Sequence, residues 1–115
     1  MKLAIVGSRD FEDYELCKKT ILKNFNINAI TEIVSGGAKG ADSLGEKFAK
    51  ENNIKLTTFL PDWDKFGKKA GFLRNTTIVE NSDIIIAFWK NKSKGTQDTI
   101  SKARKTNKIV IIMEI

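Results

Sequence analysis

The stretch Ser35-Gly36-Gly37-Ala38-Lys39-Gly40-Ala41-Asp42 has the composition of a phosphate cradle. It follows a short β-like run, Thr31-Glu32-Ile33-Val34, and opens an amphipathic helix. A strand that breaks in glycines and turns straight into a helix lets backbone N–H groups converge on an anion. The helix N-terminus adds partial positive charge. The pattern lacks the Gly-Lys-Ser/Thr ending of a Walker A loop and is not the G-x-G-x-x-G dinucleotide fingerprint. It therefore points to a phosphorylated ligand without naming one, and the alternative is a β–α turn that holds nothing. Asp42 stands either to meet the ligand or to cap the helix.

Other residues offer matching chemistry. In Gly7-Ser8-Arg9 a tight turn is followed by a hydroxyl and a guanidinium fork suited to phosphate or carboxylate. Lys94-Gly95-Thr96 opens another helix and so supplies a second N-terminus for an anion. The chain has three arginines, Arg9, Arg74 and Arg104, in an otherwise lysine-biased set of 20 basic residues. Two of them sit in glycine- or asparagine-bearing loop or helix-start segments, where a bidentate fork serves a phosphate or a structural carboxylate. Trp63 and Trp89 lie at or beside these loops; an exposed ring there stacks a base, and a buried one packs in the core. Asp62, Asp64 and Asp98 are the nearest other carboxylates, and no spacing singles one out.

Strands and helices alternate along the chain. Strands are expected at Met1 to Val6, around Ile33-Val34, and at Lys55 to Leu60, Asp83 to Trp89 and Lys108 to Ile115. Helical spacing marks Tyr14, Cys17, Ile21 and Phe25, and then Ala41, Leu44, Gly45, Phe48 and Ala49. Gly45 within that stripe suits close helix–sheet contact. A loop is expected from Asp62 to Lys69, a third helix from Ala70 to Asn81, and a fourth carrying Thr96, Ile100 and Ala103. The unbroken apolar run at Ile84 to Trp89 implies burial on both faces. The expected architecture is a Rossmann-like three-layer α/β domain over residues 1–115, a five-stranded parallel sheet with helices on both faces. Such sheets bind ligands outside the carboxyl ends of the strands, at the switch in strand order. Every post-strand loop named above should then line one edge. All glycines except Gly45 fall in or beside those loops.

Composition narrows the chemistry. There is no histidine and one cysteine, Cys17, on the inner face of the first helix. The usual zinc ligands, the usual general base and a Cys–His pair are all missing, so no metal or cofactor is expected. A lone buried thiol suits a reducing compartment, and no apolar run is long enough for a signal core or a membrane span. A cytoplasmic location is expected. The net charge of +6 favours anionic partners, but lysines interleave with acids along the helices without a basic arm.

These residues carry a family resemblance. Gly7-Ser8-Arg9, the turn from Ser35 to Asp42, Asp62-Trp63 with Gly67-Lys68, Ala70-Gly71 and Arg74-Asn75, and Ala87-Phe88-Trp89 to Gly95-Thr96 together resemble the YspA/YpsA-related branch of the SLOG superfamily. The resemblance covers essentially the whole chain. It implies a Rossmann-like fold, binding of nucleotides or nucleotide-derived signals, frequent dimers, and small members in bacteria and phages. Some relatives sense NAD- or ADP-ribose-derived molecules in antiphage defence. Lonely Guy phosphoribohydrolases and DprA are more distant relatives. The phosphoribohydrolases have Pro-Gly-Gly-x-Gly-Thr-x-x-Glu; aligned on Gly95-Thr96, this chain lacks the first glycines and has Thr99 in place of the catalytic Glu. Asp98 is adjacent in sequence but about 100° round the helix.

The sequence favours a sensor or sponge for a nucleotide, one containing ADP-ribose or another ribose phosphate. Gly36, Gly37, Ala38, Gly40, Gly95 and Thr96 would contact phosphate, with Gly7, Ser8, Ser35 and Asp42 in the same walls. Arg9 and Arg74 would neutralise charge, and Asn75 and Trp63 would contact ribose or base. A nucleotide N-glycosidase using Asp98 is the alternative, and DprA-like nucleic-acid binding, favoured only by charge, is the third.

Overall fold

The computed structural model describes residues 1–115. Strands β1 (Lys2–Gly7), β2 (Glu32–Ser35), β3 (Lys55–Thr58), β4 (Ile84–Trp89) and β5 (Ile109–Glu114) form one parallel sheet in the order β3-β2-β1-β4-β5. The chain builds outward from β1 to β3, crosses back to β4 beside β1, and ends on β5. The switch in strand order thus falls between β1 and β4. Helices α1 (Tyr14–Asn24), α2 (Ala41–Glu51), α4 (Ala70–Glu80) and α5 (Lys94–Lys105) make the crossovers, with a short α3 (Trp63–Phe66) before α4. None of these helices is long and apolar enough to cross a membrane.

Period-two alternation sorts the strands onto two cores. Leu3, Ile5, Ile33, Ile86 and Phe88 face α1 and α2, where they meet Cys17, Ile21 and Phe48. Ala4, Val6, Val34, Ile85 and Ala87 face α4 and α5, against Ile78, Val79, Ile100 and Ala103. Central strands are therefore apolar from Leu3 to Val6 in β1 and from Ile84 to Trp89 in β4, as parallel strands covered on both faces must be. Gly45 is what brings α2 down onto β1: a Cβ there would lie 2.6 Å from the Ile5 Cβ.

Two segments differ from expectation by more than one residue. The third strand ends at Thr58, because an edge strand loses its ladder once β2 ends at Ser35. The segment expected as a loop from Asp62 to Lys69 winds into α3 and a 3-10 turn, Gly67–Lys69. Asp62 starts it as an N-cap, its Oδ1 accepting from the Lys65 N–H at 3.1 Å. Trp89, expected in the core, is only half-buried; it packs on the α4–α5 side and its Nε1 donates to the Ser93 carbonyl.

Candidate functional site

The carboxyl ends of β1 and β4 open onto a polar cavity of about 440 Å³ at the switch point. Val6, Gly7, Ser8, Arg9 and Asp10 come from the β1 end, and Lys90, Asn91 and Ser93 from the β4 end. Ala38 and Asp42 come from the β2–α2 turn, Arg74, Asn75 and Ile78 from α4, and Gly95, Thr96 and Thr99 from α5. A second cavity of about 540 Å³ adjoins it, walled by Gly36, Gly37, Lys39, Leu60, Pro61 and Trp63. Arg9, Ala38 and Arg74 line both. The site thus has a polar lobe and a lobe with an apolar, aromatic wall, separated by two guanidinium groups. Trp63 is 52% exposed at the latter.

The glycine turn is closed on itself. Gly36 and Ala38 N–H groups donate to Asp42 Oδ2 at 3.1 and 3.3 Å, and the Gly37 N–H donates to Ser35 Oγ at 3.0 Å. The Ala41 N–H donates to the Ser8 carbonyl. The Gly36, Gly37 and Ala38 amides, expected to hold phosphate, are therefore committed inside the chain, and the anion that Gly36 and Ala38 hold is Asp42. Gly40 touches neither cavity. Its φ of +81° and a Cβ position that would run into the Ser8 and Arg9 backbone show it packing one wall against another. Ser35 is fully buried and donates to Glu46 Oε2 at 2.7 Å, so it braces the turn from behind.

The start of α5 is open by contrast. Its first intrahelical donor is Gln97, to the Ser93 carbonyl, and the N–H groups of Lys94, Gly95 and Thr96 have no acceptor in the chain. Ser93, Gly95 and Thr96 line the polar lobe, so the positive end of the α5 dipole stands at its wall.

Arg74 organises the boundary between the lobes. Its Nε donates to Asn75 Oδ1 at 3.1 Å, and Nη1 donates to the Gly36 carbonyl. Asn75 in turn donates to the Gly95 carbonyl and to Asp98 Oδ2, which ties Arg74 to the α5 start. Asn75 lines the cavity with its carboxamide already engaged on both sides. Burial lowers the Arg74 pKa from its ordinary value; Asp42 opposes this and the nearby Arg9 adds to it. Neither Arg9 nor Arg74 forms a salt bridge. Burial pushes the Asp42 carboxyl up to about 6, against the pull of the Ala38 and Gly36 amides and Arg74. Burial also pushes the Cys17 thiol up to about 12, so it is no nucleophile.

Asp98 lies outside the cavity lining. Its Oδ2 accepts from Asn75 at 3.1 Å and pairs with Lys102 at 2.8 Å. Thr99, one residue on, does face the cavity, with its hydroxyl donating to the Gly95 carbonyl at 3.4 Å. Lys90, Asn91 and Ser93 were within a loop expected at this edge but not singled out. Leu60 and Pro61, on the aromatic side, carried no chemical signal beyond ending a strand.

Comparison with known proteins agrees with this fold. The model of a family described as "YspA, cpYpsA-related SLOG family" matches residues 1–66. The Gene 61 protein of Mycobacterium phage D29 is 36% identical over 85 residues, 69% of this chain and 68% of the phage protein. The solved structure of DNA processing protein A (DprA) from Streptococcus pneumoniae superposes with a TM-score of 0.80 at 23% identity. That match covers 99% of this chain and 50% of DprA, so the chain spans about half the length of that neighbour and shares its fold.

Proposed function

The chain belongs to the YspA, cpYpsA-related SLOG family, and we propose that it binds a nucleotide or nucleotide-derived signal across the two joined lobes, as a sensor or sponge. The observation that carries this reading is the pair Arg9 and Arg74. Two guanidinium groups without a salt bridge, close enough for one to depress the other's pKa, stand where both lobes meet. A phosphate between them relieves that repulsion and gains charge-assisted hydrogen bonds. The α5 start takes a second anionic oxygen set, and Trp63 with Leu60 and Pro61 gives a base a surface to stack on. A ligand carrying ADP-ribose or another ribose phosphate meets these demands.

A second reading, cleavage of a nucleotide N-glycosidic bond, is favoured by one observation. Asp42 is a 4% exposed carboxylate that lines the polar lobe and is pushed up to about 6 by burial. Its engagement with two backbone amides and the threonine at position 99 weigh towards binding.

The test is mass spectrometry of small molecules released on denaturing the purified protein, with melting curves across a nucleotide panel. A released nucleotide that raises the melting temperature, without liberated base, is the expected result. No release and no shift with any nucleotide, ADP-ribose or cyclic derivative would contradict it; liberated base would move the reading to hydrolysis. Salt-sensitive retention of DNA instead would move it to nucleic acid.

A further inference from the structure

We propose that the β5 edge of the sheet is an interface with a second copy of this chain, the two β5 strands pairing antiparallel about a two-fold axis at Ile111.

The two edges of the sheet are built differently. The β3 edge is four residues long, Lys55 to Thr58, with a lysine and two threonines, and Lys55 is paired to Glu32. Short length and polar side chains are how an edge is kept from pairing. The β5 edge is six residues reading Ile-Val-Ile-Ile-Met-Glu, without proline, glycine or an interior charge. Ile109 is 60% exposed, and Val110 to Met113 are only half-covered by the chain's own helices. An unblunted apolar edge of this length is a template for another strand.

Backbone direction says which groups are on offer. The Ile115 N–H donates to the Trp89 carbonyl, so the odd-numbered residues of β5 face β4. Val110, Ile112 and Glu114 therefore turn their N–H and C=O groups outward. Antiparallel pairing centred on Ile111 sets Val110 against Ile112 of the other copy, so that outward groups meet outward groups. It also sets Ile109 against Met113 and, at the ends, Lys108 against Glu114. Glu114 has no ion-pair or side-chain hydrogen-bond partner within the chain, and Lys108 uses one of its three donors on the Ser82 carbonyl. This register satisfies both strand ends by opposite charge, twice over because the contact is isologous. The result is one continuous sheet through both copies, with the half-covered faces of Ile111 and Met113 and of Val110 and Ile112 each meeting their equivalents.

Ile111 sits opposite itself as a non-hydrogen-bonded pair, where Cα atoms approach to about 4.5 Å, within disulfide reach. The experiment is sedimentation equilibrium of the full chain at tens of micromolar, together with single-cysteine cross-linking under mild oxidation. The expected results are a dimer, a disulfide-linked dimer from Ile111→Cys, and little from Ile109→Cys, whose counterpart is Met113. Lys108→Glu and Glu114→Lys should each weaken association about tenfold, and the double variant should recover most of it. Ile112→Pro removes an outward N–H and should give a folded monomer; if it fails to fold, the cysteine pair decides. A monomeric wild-type chain would overturn the proposal. So would cross-linking stronger at position 109 than at 111, or charge variants that leave the dimer unchanged.

Discussion

Two helix starts meet at the same sheet edge, one with three glycines and one with a single glycine, and they do opposite things. At the β2–α2 turn the amides of Gly36, Gly37, Ala38 and Ala41 are all taken up by groups of the chain itself. At the α5 start the amides of Lys94, Gly95 and Thr96 are free. The difference lies in Asp42, a carboxylate one residue into α2 that folds back over the turn. A glycine-rich strand-to-helix turn can therefore be an anion site whose anion is built in. In this molecule the turn forms one wall, and under the proposed reading anion binding falls to the α5 start and the two arginines.

The comparison breaks first at Asp42. Asp42→Ala orphans one buried and one part-buried amide and leaves Arg74 facing no charge, where no buried side-chain polar atom now lacks a partner. It should cost about 3 kcal/mol or more in denaturant unfolding. Thr96→Ala, at the open start, should cost under about 1 kcal/mol.

The pH dependence of stability sharpens the same point. The folded Asp42 carboxyl, pushed up to about 6, keeps its proton to higher pH than the unfolded one. The unfolded chain then binds fewer protons in that interval. Stability present below pH about 4 should fall by about 2–3 kcal/mol as pH rises through about 6. Asp42→Asn should remove that slope. Protonation of Asp42 also removes a negative charge from the polar lobe, so affinity for an anionic ligand should rise as pH drops from about 7 to 5.

Much of the fold was legible from periodicity. The apolar run of β4, the one-sided stripe of α2 and the strand–helix alternation specify a parallel sheet covered on both faces, and that is the architecture found. The rule that ligand loops gather at the carboxyl edge groups Gly7 to Arg9, Arg74-Asn75 and Gly95-Thr96, and all of them line one cavity. What periodicity does not carry is the direction of polar groups. Ser35 and Gly40, expected to line the site, line neither cavity: Ser35 braces the turn and Gly40 packs one wall on another, while Asn75, which does line the polar lobe, ties Arg74 to α5. The helix α3 was missed because four residues are too few for a period; its legible signal was the cap, Asp62 three residues before Lys65.

Substitutions at the two glycine sites should diverge. A Cβ at Gly36 would lie 2.6 Å from Arg74 Nη1 and 2.7 Å from Asp42 Oδ2, so Gly36→Ala should cost about 1–3 kcal/mol in chemical denaturation. Arg9, exposed and without a salt bridge, should be dispensable for folding and needed for the ligand. Arg9→Ala should leave stability within about 0.5 kcal/mol and weaken nucleotide binding about 10- to 100-fold by calorimetry. The smallest effect belongs to Gly95, where a Cβ meets nothing within 4 Å. Gly95→Ala should stabilise the helix by about 0.5–1 kcal/mol and leave affinity unchanged, since the backbone N–H remains.

The most direct measurement is amide chemical-shift mapping by NMR during titration with ADP. Gly95 and Thr96 amides and the Arg9 and Arg74 side chains should shift most, while Gly36 and Ala38 amides, held by Asp42, should move little. Leading shifts at Gly36 and Ala38, or no shift at the α5 start, would contradict it.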